Sequence, residues 1–114
     1  MTILDTAVIG NIGDKRIIVV SPLATLAGVV GVEAHVWVPG FPKVTLAGAV
    51  LDSDLVQIEI NLGGAGGWLA AQATAPPVGS RYYNIEYELT WSNGDKLTWP
   101  SDDPDILPVR GYAA

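Results

Sequence analysis

Residues 81–91, RYYNIEYELTW, alternate between apolar and polar side chains over their whole length. Successive side chains of a β-strand point to opposite faces, so this alternation predicts a long strand with one buried and one polar face. The apolar set is Tyr83, Ile85, Tyr87, Leu89 and Trp91, and the polar set is Tyr82, Asn84, Glu86, Glu88 and Thr90. Asn93-Gly94 predicts a two-residue hairpin turn after this strand, because both residues tolerate a positive φ. Residues 96–99 then form the returning strand.

Further strands are predicted on the N-terminal side and at the end of the chain. Residues 30–38 and 55–62 alternate in the same way, residues 17–20 are a β-branched run, and residues 44–46 and 106–110 are shorter candidates. Thirteen glycines and eight prolines separate these segments, and none has a sustained helical period. The pattern predicts an all-β chain, an immunoglobulin-like antiparallel β-sandwich of about seven strands. Residues 1–13 are predicted to be an N-terminal arm and residues 14–114 the sandwich domain.

The composition excludes several classes of protein. The chain has 12 acidic and 6 basic residues, a net charge of −6, and its basic residues are scattered. Without a basic patch, binding to nucleic acid or to an anionic membrane is not expected. The absence of cysteine excludes disulfide bonds, thiolate metal sites and a cysteine nucleophile. No basic region precedes an apolar run at the start, so no signal peptide is predicted.

Two pairs of side chains have the residue types of acid–base catalysis. His35, the one histidine of the chain, shares the polar face of its strand with Glu33 and Trp37. Glu86 and Glu88 lie two residues apart on one face, which places their carboxylates about 7 Å apart, within the range of an inverting glycosidase pair. Any half-exposed strand with two glutamates has this spacing, and no second histidine or nucleophile motif accompanies His35. The sequence therefore predicts no catalytic residues.

Two polar segments lack the spacing of a ligand motif. Asp102, Asp103 and Asp105 lie close to Asp95, but their spacing differs from that of an EF-hand loop. The glycine-rich residues 63–67 lack the Gly-Lys-Ser/Thr ending of a phosphate-binding loop. We predict a solvated turn and a loop here, and neither a metal site nor a cofactor.

The four tryptophans differ in their predicted surroundings. Trp91 lies on the apolar face of its strand, and Trp99 is placed to pack across the hairpin, so both are predicted to belong to the core. Trp37 lies on a polar face, where it either covers a sheet edge or anchors a partner. Exposed aromatic side chains can also stack on sugar rings, which keeps carbohydrate binding open.

The order of segments resembles a class of viral module. Residues 79–89 contain a glycine, then tyrosines, then the long alternating strand, and residues 97–100 and 106–110, LTWP and ILPVR, close the domain. Upstream, Leu26-Ala27-Gly28 precedes the strand at residues 30–38. Over residues 14–110 the chain resembles the small immunoglobulin-like modules of tailed-phage virions. The nearest is the N-terminal module of baseplate upper proteins, and head decoration (cement) proteins are similar.

The resemblance implies a non-enzymatic structural component of a virion, assembled in the host cytoplasm and located at the tail or baseplate, the neck or the capsid surface. Its implied partners are other virion proteins and copies of itself. The arm and the strand at residues 17–20 have more apolar surface than an isolated sandwich needs, so they are the expected docking elements. The predicted interface residues are Ile3, Leu4, Val8, Ile9, Ile17, Val19 and Trp37.

Two other functions stay open at this point. A carbohydrate-binding module needs at least two coplanar exposed aromatic side chains, so burial of Trp68, Trp91 and Trp99 argues against it. A small hydrolase acting through Glu86 and Glu88 needs a cleft around these two carboxylates.

Overall fold

The computed structural model describes residues 2–8, 14–38, 43–63 and 80–110, the side chains of residues 80 and 81 excepted. Within these ranges the chain is all-β and no residue is helical, so the predicted all-β class is confirmed. The strands are β1 (Ala7–Val8), β2 (Lys15–Val19), β3 (Val29–Trp37), β4 (Val44–Asp52), β5 (Gln57–Asn61), β6 (Ser80–Trp91), β7 (Lys96–Trp99) and β8 (Asp105–Arg110). Trp68 and the loops predicted at residues 63–67 and 75–79 lie largely or wholly outside the described residues.

The described strands form one mixed sheet in the order β1-β8-β6-β3-β4-β5-β2, curled into a half-barrel. β7 and β8 share one edge of β6, because β7 pairs with residues 87–90 and β8 with residues 80–85 of that strand. β1 runs parallel to β8, and the other neighbouring strands are antiparallel. The sequence predicted two antiparallel layers. The described strands are continuous in hydrogen bonding, since β6 pairs with β3 on one side and with β7 and β8 on the other, so the sandwich part of the prediction is not confirmed.

The concave face of the half-barrel holds the core. Of the predicted core residues, Val56, Ile58, Ile60, Ile85, Tyr87 and Leu89 are buried, which confirms the strand faces. Tyr83 and Trp91 are partly buried and pack at the margin of this cluster. The core has six further large side chains that are fully buried: Val20, Leu26, Val36, Leu62, Leu107 and Val109.

The N-terminal residues belong to the sheet. Leu4 N donates to Ile106 O (2.8 Å), and Ile106 N donates to Thr2 O (2.8 Å). Ala7 pairs with Val109 and is 1% exposed. The sequence predicted that residues 1–13 form an arm outside the domain. In the structure, residues 2–8 lie along the outer edge of β8. Residues 9–13 are outside the described ranges.

Strand β3 begins with an irregularity that the alternation did not predict. A register shift between Val29 and Gly31 interrupts its pairing with β6. Val30 is therefore 69% exposed, although its place in the alternation put it on the inner face with Val32. Val29 packs against the core in its place.

The hairpin between β6 and β7 has a three-residue loop. Trp91 N donates to Asp95 O (2.8 Å), and Gly94 N donates to Trp91 O (2.9 Å). Gly94 has a φ of 93°, whereas Asn93 keeps a negative φ and accepts a hydrogen bond from Asp95 N through Oδ1. The hairpin was predicted correctly, but its turn is a β-turn closed by a left-handed glycine instead of a two-residue turn.

Candidate functional site

The outer face of β3 and β6 brings together residues that the sequence placed on separate strands. Glu33 lies opposite Glu88, and His35 lies opposite Glu86, because β3 and β6 are antiparallel neighbours. His35 Nε2 is 3.8 Å from Glu33 Oε2. One ligand atom from each of Glu33, His35 and Glu88 lies within 4.8 Å of the other two. We call these three residues the Glu33–His35–Glu88 cluster.

Two lysines neutralise part of this acidic face. Lys43 Nζ is 3.1 Å from Glu86 Oε1 and 4.2 Å from the centroid of the Trp37 ring. Lys96 Nζ is 3.5 Å from Glu88 Oε1. Trp37, the predicted anchor, is thus half-buried with a cation on one face of its ring, a favourable contact for an indole.

The hydrolase hypothesis required a cleft around Glu86 and Glu88. A shallow groove of about 330 Å³ opens between the start of β3 and the end of β4, and Glu33 is one of the residues that line it. Its lining comes from residues 29–33 and 48–50, and neither Glu86 nor Glu88 contributes. Among the described residues, Glu86 and Glu88 pair with Lys43 and Lys96 on the strand surface, and this groove does not bring them together as a glycosidase pair.

The described tryptophans are partly covered by their neighbours. The ring of Trp99 stacks on that of Tyr87 across the hairpin, with centroids 6.0 Å apart and planes at 27°. Trp91 packs at the margin of the core. Trp68 lies outside the described residues. Tyr82, at 68% exposed, is the aromatic side chain on the outer face of β6 that is most open to solvent among those described.

The predicted interface residues of the arm and those of β2 lie at opposite ends of the strand order, whereas Trp37 lies on β3 in its middle. Ile3 is 66% exposed beside β8, while Leu4 and Val8 are half-buried. Ile17 (59%) and Val19 (47%) are exposed on β2, and their neighbours Ile18 and Val20 face the core. Among the described strands, β2 pairs with β5 alone, so its other edge has no strand partner there. Ile9 lies outside the described residues.

The sequence analysis did not predict a polar cluster around Arg16, between the two ends of the strand order. Arg16 binds Asp14 through two hydrogen bonds, of which Nη2 to Oδ2 is 2.9 Å, and Arg16 Nη1 donates to Asp5 O (2.7 Å). The hydrogen bonds that Arg16 donates to the Asp14 carboxylate raise the pKa of the Arg16 guanidinium. Arg16 therefore links the start of β2 to the segment before β1, although these strands are at opposite ends of the sheet order.

Two buried oxygens accompany this group. Asp105 is 2% exposed and accepts a hydrogen bond from Thr2 N (2.8 Å). Burial raises the pKa of Asp105 and also that of the Tyr87 phenol. Among the described residues, the buried Tyr87 hydroxyl has no hydrogen-bond partner. The sequence predicted Asp105 to lie in a solvated turn, and the error arose because its contact with Thr2 joins residues 103 positions apart.

No family model, curated protein or solved structure matches this chain. Among the described residues, none belongs to a helix that is apolar and long enough to cross a membrane.

Proposed function

We propose that this protein is a non-enzymatic structural module that assembles with copies of itself by strand addition at β2. One observation carries the proposal: β2 exposes Ile17 and Val19 beside a sheet edge that has no strand partner among the described residues. The unpaired backbone groups of such an edge accept an added strand, which gains hydrogen bonds and covers apolar side chains together.

The charges at β2 favour a second copy as the occupant. β2 reads KRIIV and has no acidic side chain, in a chain of net charge −6. Arg16 is bound to Asp14, and Lys15 Nζ is 4.0 Å from Glu59 Oε1, so both cations have a partner within their own chain. The edge is thus nearly neutral, and two copies meet there with less repulsion than elsewhere on an acidic molecule.

The same charges favour an antiparallel arrangement. A two-fold axis at Ile17 places the two Ile17 side chains opposite each other, as in an isologous dimer. The two Lys15 ammonium groups then lie at opposite ends of the paired strands, about 13 Å apart along the strand direction. Parallel strands would instead place the two lysines side by side, which is unfavourable.

The size of the contact indicates how it acts. β2 has 5 residues, and such a strand pair buries less than the about 1,000 Å² typical of a stable isolated dimer. The contact becomes strong when a larger assembly holds two copies next to each other, because it then forms at high effective concentration.

A virion is one assembly of this kind, and it is the setting that we propose. The support is the order of strands and turns over residues 14–110, which resembles the immunoglobulin-like modules of tailed-phage virions, and the immunoglobulin-like arrangement is part of this proposal. The copy number in purified phage particles, measured by quantitative mass spectrometry, tests the setting. Hundreds of copies indicate head decoration, a handful indicates the neck or baseplate, and absence from the particles contradicts it.

Carbohydrate binding is the weaker alternative. Trp37 has Lys43 over its ring, Trp99 is stacked on Tyr87, and Trp91 packs against the core. These contacts occupy ring faces that a sugar would need, so these three tryptophans favour packing roles.

Sedimentation equilibrium of the full chain over a wide concentration range tests self-assembly. We expect the mass of the wild type to rise with concentration and that of Ile17→Lys to stay monomeric, because the change places two charges opposite each other at the two-fold axis. Val30→Lys is the matched control, since it introduces the same charge at a 69% exposed valine on β3.

The expected result is a wild-type mass profile for Val30→Lys, with circular dichroism showing both variants folded. A wild type that is monomeric at every concentration contradicts the proposal. Equal weakening by both lysines would show that added charge, and not the β2 edge, controls association.

A further inference from the structure

We propose that the Glu33–His35–Glu88 cluster binds a divalent transition-metal ion of the Zn²⁺ type on the outer face of β3 and β6. This site is separate from the β2 edge, so the proposal does not depend on how copies of the chain assemble.

The three side chains converge from two neighbouring strands. Glu33 and His35 share one face of β3, and Glu88 lies directly opposite Glu33 on β6. Their ligand atoms lie within 4.8 Å of one another, whereas ligand atoms about 2.0–2.2 Å from a tetrahedral Zn²⁺ are about 3.4 Å apart. The site therefore has to contract slightly. The Glu33 side chain, at 51% exposed, has the rotational freedom to do this, while the sheet fixes the backbones.

The imidazole of His35 is oriented for such a role. Its Nδ1 is 3.4 Å from Thr45 Oγ1 on β4, on the side away from the carboxylates. Its Nε2 faces Glu33. A hydrogen-bonding group on the distal ring nitrogen is the usual outer-shell support of a metal-binding histidine, because it fixes the ring and the tautomer.

The charges at the cluster also favour a cation. Two carboxylates directly opposite each other on neighbouring strands repel. Lys96, 3.5 Å from Glu88, offsets part of this repulsion, and its own side chain is 61% exposed. A divalent ion between Glu33 and Glu88 removes the remainder.

The ligand set indicates the class of metal. One imidazole with two carboxylates suits zinc and related transition metals, whereas Ca²⁺ and Mg²⁺ take oxygen ligands. The cluster lies on an open face, so a bound ion keeps at least one position for water or for a side chain of another molecule.

Two measurements on the folded full-length protein test the site. Isothermal titration calorimetry with ZnCl₂ is expected to give one binding site per chain. Because the chain has 1 histidine, the imidazole nitrogen signals in an NMR spectrum belong to His35 without further assignment. We expect Zn²⁺ to shift the Nε2 signal and to leave Nδ1 protonated.

Matched glutamine variants locate the ligands. Glu88→Gln should weaken Zn²⁺ binding at least about tenfold, a loss that even outer-shell changes can cause. Glu86→Gln is the control, because Glu86 lies on the same strand face but pairs with Lys43, and it should change the affinity less than about twofold. A His35 signal that does not respond to Zn²⁺ overturns the proposal, as does equal weakening by Glu86→Gln. Equal binding of Mg²⁺ would overturn the assigned class of metal.

Discussion

Gly48 is closely surrounded by atoms of the two neighbouring strands. It is opposite Val32 on β3 and Ile60 on β5, in the middle of three neighbouring strands. A Cβ atom at this position would be 2.6 Å from Ile60 Cδ1, 2.9 Å from Val32 Cγ1 and 3.0 Å from Glu59 O. The glycine thus allows the inner side chains of β3 and β5 to meet over β4, which continues to Asp52, beyond the predicted residues 44–46.

We expect Gly48→Ala to destabilise the protein by about 1–3 kcal/mol, the usual cost of an extra methyl group in a packed core. The midpoint of urea unfolding, followed by tryptophan fluorescence, measures the effect. Gly31→Ala is the control, because its Cβ would meet Thr90 Cβ at an ordinary 3.6 Å. A Gly48→Ala variant as stable as Gly31→Ala would show that the sheet relaxes around the new methyl group.

Single residues also show where sequence reasoning ends. Ile58 and Ile85 were placed correctly, because strand alternation alone decides which face a side chain occupies. Val30 was placed on the wrong face, because a register shift decides its surroundings. The close surroundings of Gly48 were not predicted, because they depend on the approach of two other strands. Neither of these is a property of the local sequence.

At the scale of elements, the register between β3 and β6 brings the residues of the candidate metal site together. The sequence placed His35 with Glu33 on one polar face and Glu88 with Glu86 on another. It did not predict that β3 and β6 are neighbours in a register that sets Glu33 opposite Glu88. The residues were therefore predictable and the cluster was not, because strand order is fixed by the whole core.

The burial of Asp105 at the start of β8 makes the stability of the protein depend on pH. Burial raises the pKa of this carboxyl above its ordinary value of 3.8, so the folded state binds the proton more tightly than the unfolded state. The contribution of Asp105 to stability is therefore fully present below pH 3.8 and is lost as the pH rises through the raised value.

Asp105→Asn tests this dependence. The amide keeps an acceptor for Thr2 N but has no charge to desolvate, so we expect the variant to unfold at a higher temperature than the wild type at neutral pH. The difference should shrink toward zero below pH 3.8, where both side chains are neutral. Thermal melts across this range measure it, and Asp102→Asn, in the exposed loop before β8, controls for the loss of one carboxylate. A constant difference at all pH values would rule out desolvation as its cause.

At the scale of the whole molecule, one side chain connects the two edges of the half-barrel. Arg16 of β2 donates to Asp5 O ahead of β1, while β1 and β2 are not paired with each other in the described sheet. A closed barrel would have hydrogen-bonded these two edges and left no place for strand addition. The incomplete closure is what makes the β2 edge the proposed site of assembly.

The net charge of −6 then sets how this assembly responds to salt. Two acidic copies repel over distances longer than the contact itself, and salt screens this repulsion, with a Debye length of about 10 Å at 0.1 M. The proposed contact is apolar, around Ile17 and Val19, and the exposed Lys15–Glu59 pair contributes little to it.

We expect the association constant of the wild type to rise several-fold between low and high NaCl in sedimentation equilibrium. Ile17→Lys should stay monomeric in both, which separates pairing at β2 from general salting-out. Weaker association of the wild type at high salt would mean that ion pairs between copies, and not the apolar strand, hold the assembly together.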